Sequence, residues 1–218
     1  MKLSTVIKQA RSGELKNLSE EDITAETIVN HINLAMTVLY ARFPIRTNEC
    51  LLTLSDNKTI YRLDGTDSSV TVAGQPIQND SVLIIVQAFD EAGSIPIDDD
   101  YDDSSIYTTS YDTIQVPNPA DGAFISLIYI ESPTSIEPTY DAEGEVSGEY
   151  NVDIPRSLLE PLLHYIGYRA HGAIDGNIDG ENNTHLMRFE ASCKRIDTLG
   201  IIRRGGVHKT NKSGGFFS

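Results

Sequence analysis

Three shortages bound this 218-residue chain before any motif is considered. It has two cysteines, Cys50 and Cys193, far apart and outside any CxxC pair. That excludes a disulfide framework and a cysteine zinc site, and both are expected to be small buried hydrophobes. No apolar run approaches the roughly 18 residues of a membrane helix, and the N-terminus MKLSTVIKQARSGELK lacks the apolar centre of a signal peptide. The expectation is a soluble protein made in the cytoplasm and without membrane contact. The third shortage is of positive charge. From Leu63 to Pro155 there is no Lys or Arg against 19 acidic residues, whereas Met1–Arg62 nets +1 and Arg156–Ser218 nets +3, so this stretch carries the whole imbalance behind the formal −15. Such a partition marks a distinct lobe, and its field would repel phosphate, which argues against classical nucleic-acid readout.

Enzyme signatures are also missing: there is no GxSxG, HExxH, Walker loop or strand-borne GxGxxG. Nothing gathers Ser, His and Asp at one place, and no pair of carboxylates stands out from the acidic lobe. The chain is read as a non-enzyme without a cofactor.

The pattern that is present organises both ends. Leu3, Val6, Ile7 and Ala10 predict a short helix ending at Ser12–Gly13, and Asn17–Asp22 predicts a linker. A longer helix from about Thr24 to Phe43 carries Ile28, Ile32, Ala35, Met36, Leu39 and Phe43 on one face, and Pro44 stops it. Near the other end, Pro155–Leu199 predicts an antiparallel helical hairpin. Its first helix shows Leu158, Leu162, Tyr165, Arg169 and Ala173, with Leu159, Leu163, Ile166 and Ala170 beside them; its second shows Leu186, Met187, Ala191, Ile196 and Leu199. Two helices alone cannot hide both stripes, so the N-terminal helices are expected to pack on them. His31 and His164 are read as edge or satisfied core residues.

From Cys50 the period changes to two. CLLTLSD, NKTIYRLD and SVTVAG predict a three-strand meander, followed by strands in SVLIIVQAFDE, SIYTTS, DTIQVPN and AFISLIYIES. The fold class is therefore α+β: a helical bundle built from both chain ends, with an inserted acidic β-sandwich or small barrel and an extended C-terminal tail. Expected units are 1–48 (N-terminal helices), 49–153 (β lobe), 154–201 (helical hairpin) and 202–218 (basic tail). Ser132–Asn151, rich in Pro, Gly and Glu, is expected to be the connection into the hairpin and open to protease.

Two stretches could hold a cation. Asp175, Asn177, Asp179 and Gly180 match positions 1, 3, 5 and 6 of a calcium loop, but position 12, which needs a bidentate Glu, is Leu186, so a polar turn is the reading. Asp98, Asp99, Asp100, Asp102 and Asp103 cluster around Tyr101 without ligand spacing, and a solvated loop is the reading.

The segment TIVNHINLAMTVLYARFPIRTNECLLTL, with Leu39, Tyr40, Arg42, Phe43 and Pro44, resembles the head-to-tail adaptor proteins of short-tailed bacteriophages. So does VDIPRSLLEPLLHYIGYRAHGAIDGNIDGENNTHLMRFEASCKRI, through Ile154, Pro155, Tyr168, Arg169, Ala170, Asn183, Arg188 and Phe189. The resemblance covers both helical flanks and implies a structural protein of the virion neck: a twelvefold ring below the portal, extending the DNA channel and offering a platform to tail nozzle or tail fibre proteins. DNA would pass through non-specifically. The alternative is another virion module, such as a tail completion or β-sandwich receptor-contact protein. On the adaptor reading, Arg203, Arg204, Lys209, Lys212, Phe216 and Phe217 are expected to dock on the portal or a neighbouring subunit, and the Asp98–Asp103 acids to face the channel.

Overall fold

The computed structural model describes residues 1–19, 23–175 and 184–202. Four helices are formed: α1 (Leu3–Ser12), α2 (Ala25–Arg42), α3 (Leu159–Asp175), entered through a 3-10 turn at Arg156–Leu158, and α4 (Thr184–Leu199). Between α2 and α3 run eleven strands: β1 (Thr47–Thr53), β2 (Ile60–Arg62), β3 (Val70–Val72), β4 (Gln75–Pro76), β5 (Val82–Asp90), β6 (Gly93–Ile95), β7 (Tyr107–Ser110), β8 (Thr113–Gln115), β9 (Phe124–Glu131), β10 (Thr139–Tyr140) and β11 (Val146–Ser147).

Local chemistry explains the helix bounds. Thr24 caps α2 by accepting the Thr27 N–H at 3.2 Å, satisfying one of the donors that a helix start leaves without an internal partner. Pro44 follows the last turn and cannot prolong it. One apolar core unites the helices: Leu3, Val6, Ile7 and Ala10 of α1, Ile28, Ile32, Met36 and Leu39 of α2, the row Leu158, Leu162, Ile166 and Ala170, and Phe189, Cys193 and Ile196 of α4. The expected row on α3 is thus rotated, since Ala173 is exposed and Ile166 and Ala170 are buried. On α4 the expected stripe is overturned for three residues, because Met187, Ala191 and Leu199 face solvent and Phe189, Ser192 and Cys193 face inward. Apolar residues surround this helix, so their period alone does not orient it. The aromatic ring of Phe189 does, by packing edge-on against Tyr165 at 5.2 Å.

A second core fills the β region. The larger sheet has the order β4-β3-β1-β9-β5-β6, and the smaller has the order β2-β8-β7; every pairing is antiparallel. Residues of both sheets, among them Leu52, Tyr61, Ile114 and Leu127, share this core. No barrel closes among the described strands, because β4 and β6 are open edges. The expected meander is also corrected: β1 pairs with β3 and β9, while β2 leaves to pair with β8. The reason lies in the intervening turn. The Tyr61 hydroxyl donates to the Lys58 carbonyl at 2.8 Å and accepts the Ser55 N–H at 3.0 Å, folding the chain back on itself. Lys58 then reaches both Asp67 oxygens, at 2.5 and 2.6 Å, which draws β3 toward β1 and past β2.

The segment 132–153 is an ordered strap rather than a loose connection. Ile136, Val152 and Ile154 enter the helical core. Residues β10 and β11 form a hairpin, and Asp141 accepts the N–H groups of Glu143 and Glu145 at 3.1 and 2.8 Å across its turn. Arg11 holds Glu145 through two bonds of 3.0 and 2.8 Å, and the Leu3 N–H donates to the Tyr150 carbonyl at 2.8 Å.

Candidate assembly surfaces

The two segments that carry the adaptor resemblance meet in space. Arg42, from the end of α2, lies 5.9 Å from the centre of the Phe189 ring and donates to Glu190 at 2.7 Å. The Tyr40 hydroxyl donates to the Asp153 carbonyl at 2.7 Å, fixing the place where the chain re-enters the helices. These residues act as structural ties between α2, α4 and the strap.

A polar node joins the turn after α1 to α3 and α4. Glu14 lies 3.2 Å from His164 Nδ1 and 2.6 Å from His185 Nδ1, and Arg188 stands 3.9 Å away. The His171 ring stacks on His185 at 4.6 Å, and its Nε2 sits 3.0 Å from the Glu14 carbonyl. Burial pulls His185 below the usual imidazole range, against the opposing pull of its Glu14 contact. Gly167 makes the approach possible, since a Cβ there would lie 2.7 Å from His185 Nδ1 and 3.1 Å from Glu14 Cβ. The sequence signal was present but weak: His164 and His171 are seven apart with Gly167 between them, while Glu14 lies about 150 residues away.

The aspartates between β6 and β7 do not converge. Asp98 accepts the Thr108 N–H at 2.8 Å and also its hydroxyl, Asp99 accepts the Tyr101 N–H at 3.0 Å, and Asp102 accepts the Ser104 N–H at 2.9 Å. Asp99 and Asp102 each close a short turn, and Asp98 ties the loop to Thr108 of β7 ten residues on. The bonds from Ser104 hold Asp102 below the usual carboxylate range. Asp100 and Asp103 project into solvent beside a fully exposed Tyr101. Among the described residues no group of three His, Cys, Asp or Glu side chains could hold a metal ion.

Both cysteines are buried and unbridged. Burial pushes the Cys50 thiol up to about 12 and the Cys193 thiol to about 11, so neither is a reactive thiolate at neutral pH. The calcium-like residues Asn177, Asp179 and Gly180, the resemblance residue Asn183, and the tail residues Arg203, Arg204, Lys209, Lys212, Phe216 and Phe217 lie outside the described residues. Among the described residues, no helix is long and apolar enough to cross a membrane.

Surfaces fit for assembly are more prominent than any site for chemistry. Of the 18 residues of α2, only Glu26 and Arg42 carry formal charge, one near each end. Its outer face presents Asn30, Leu34, Thr37 and Ala41. At its C-terminal end this face runs into a groove of about 500 Å³ floored by Pro44, Ile84, Val86, Ile128 and Ile130. Leu34, Ile84 and Val86 remain 46%, 40% and 41% exposed, an unusual outlay of apolar surface on an acidic molecule. Sequence periodicity missed this face because it registers which side of a helix is most apolar and passes over an opposite side that merely lacks charge.

No curated protein matches the chain. The sequence model of the SU10 adaptor protein family matches residues 1–208, which take in both helical flanks and the whole β region, and the chain belongs to that family.

Proposed function

We propose that this adaptor protein is a ring-forming component of the bacteriophage neck, seated below the portal, where it prolongs the DNA channel and receives the tail. The observation that carries the reading is the family match over 1–208, which spans the α2 and α3–α4 segments that meet at Arg42 and Phe189. Its architecture suits the role. Structural work in a ring needs rigid side-by-side surfaces and no reactive centre, and the helical core is tied to the β region by the strap and by Tyr40.

Within this reading, residues 1–48 and 154–201 form one unit into which the β lobe of 49–153 is inserted. Residues 202–218 are the docking tail. Arg203, Arg204, Lys209 and Lys212 give the tail four positive charges against an acidic body, which steers it to acidic patches on portal or neighbour. Phe216 and Phe217 then anchor its end, each worth about 1.5–3 kcal/mol on burial before the ordering cost of the tail. The exposed acids Asp100 and Asp103 face the channel, where they keep the DNA backbone from adhering within about 10 Å at 0.1 M salt.

The deciding experiment is a mass measurement of the purified chain alone and with purified portal. A twelve-subunit ring, free or portal-bound, is the expected result. A chain that stays monomeric and is not recruited by portal would refute the reading.

A further inference from the structure

We infer that the node of Glu14, His164, His171 and His185 is an acid-released latch: when both rings of the His171–His185 stack carry a proton, the turn after α1 parts from the α3–α4 hairpin while the helical core stays closed. This goes beyond the adaptor role and does not rest on the ring reading.

The node has fewer carboxylates than imidazoles. Glu14 lies 2.6 Å from His185 and 3.2 Å from His164; Glu160 lies 3.7 Å from His164 but is also held by Arg195. Among the described residues no carboxylate is ion-paired to His171. Its Nε2 meets the Glu14 carbonyl at 3.0 Å, and its ring lies 4.6 Å from that of His185 and 12° from parallel. A proton on His185 has Glu14 as its counter-ion. A second proton, on His171, sets two like charges face to face with one carboxylate to serve both.

The other charges around the stack deepen the imbalance. From α4 comes Arg188, 3.9 Å from Glu14, and from the turn comes Lys16, which lines the same cleft of about 420 Å³ with Asn17 and Thr184. Fully protonated, three imidazolium rings, Arg188 and Lys16 stand against Glu14 and a Glu160 already shared with Arg195. Water screens little of this, because the side chains of Glu14, His164 and His185 are only 17%, 14% and 19% exposed. Nor can the His185 ring slide toward α3, where the Gly167 backbone is so near that a Cβ would lie 2.7 Å from its Nδ1.

Linkage fixes the direction. In the closed joint His185 is held below the usual imidazole range, chiefly by burial, with His171 and Arg188 adding to it against the pull of Glu14. An opened joint returns the ring to water and to its ordinary proton affinity, so the opened form binds the proton more tightly and falling pH favours it. The latch is therefore intact above about pH 6.5 and weakens below. Opening stays local, since Phe189, Cys193 and Ile196 keep α4 in the helical core and Leu3, Val6, Ile7 and Ala10 keep α1 there.

The test is amide hydrogen exchange of the full chain at about pH 7.5 and about pH 5.5, corrected for intrinsic exchange rates. The Gly13, Leu15 and Leu18 amides are bonded within the turn, to the carbonyls of Gln9, Ala10 and Leu15. They are expected to open at least about threefold more at the lower pH, and to gain more than residues 32–39 of α2, which report unfolding of the whole core. His171→Phe keeps a flat ring on His185 without its charge. It is expected to remove most of this response and to let His185 take its proton at higher pH, read from its imidazole NMR signals. Turn amides equally protected at both pH values, a gain no larger than that of α2, or a full response persisting in His171→Phe would each overturn the latch.

Discussion

Asn33 of α2 bonds both sides of the strap at Ile136: its Nδ2 donates to the Ile136 carbonyl at 3.0 Å, and its Oδ1 accepts the Ile136 N–H at 2.9 Å. One side chain thus imitates a neighbouring strand for a residue 103 positions away. Asn33→Ala leaves that partly buried peptide without partners and is expected to cost about 1–3 kcal/mol in denaturant unfolding. Asn33→Asp keeps the acceptor but turns a carboxylate oxygen toward a carbonyl. It is therefore expected to be worse than Asn33→Ala at neutral pH and to recover as the carboxyl is protonated. Equal stability of Asn33→Ala and wild type would show that the strap is held elsewhere.

Gly167 reverses the usual ranking of helix residues. In an open helix interior, Gly→Ala stabilises by about 1 kcal/mol. Here the added methyl group would press on a His185 ring that is stacked on His171 and in contact with Glu14. Gly167→Ala is expected to lower the melting temperature, and His185→Ala in the same chain to restore most of the loss. A melting temperature raised by Gly167→Ala alone would show that the node yields easily.

His31 gives stability a pH slope. Its ring is buried at the α2–α3 contact, and neither nitrogen has a hydrogen-bond partner among the described residues. Burial, and secondarily Arg169, lower its pKa from the ordinary value. The unfolded chain therefore takes up the proton first as pH falls below about 6.5, so stability is full above that pH and declines until the folded-state pKa is passed. His31→Leu removes this contribution. It is expected to raise stability at pH 7 by about 1 kcal/mol, the order of the penalty for an unsatisfied buried polar group, and to flatten the unfolding free energy between pH 6.5 and 5. An unchanged slope would assign the dependence to His185.

In the acidic loop, Asp98 ties the loop to Thr108 and Asp102 closes a turn, whereas the exposed Asp100 and Asp103 can be replaced without touching either bond. Asp100→Lys with Asp103→Lys is expected to leave melting and assembly unchanged and to slow DNA release from virions, more so at low salt. An unchanged release rate would place the loop away from the channel.

Removal of Gly205–Ser218 is expected to leave the melting of the free chain unchanged and to weaken its attachment to portal-bearing heads. Equal attachment of the shortened chain would remove the docking role from Phe216 and Phe217.

How far the sequence could be read follows the distance over which each contact acts. Helices α1 and α2 were legible because their buried rows recur within single turns, and β5 and β9 because their apolar runs are long. Strand pairing was not, since β2 finds β8 more than fifty residues on through a turn held by Tyr61 and Lys58. The strap was read as a connection because its composition is that of a loop; what orders it is Asn33, Arg11 and the helical core, all remote in sequence. The face of α4 was misjudged because Met187, Ala191 and Leu199 match the apolar period as well as Phe189, Cys193 and Ile196 do, and only packing against Tyr165 distinguishes them. The Arg42–Phe189 tie was implicit in the resemblance, which named both residues without relating them.

The strap also sets an order of events during synthesis. The apolar sides of α1 and α2 are covered by Ile136, Val152 and the α3 row, all made more than a hundred residues after Leu3–Ser12. At ribosomal rates of about 5–20 residues per second, those first helices wait about 5–20 s for their covering. The β region in between meets most of its own partners sooner. Chaperone demand should therefore be concentrated on α1 and α2, whose buried faces take their final form only once the strap and α3 have been made.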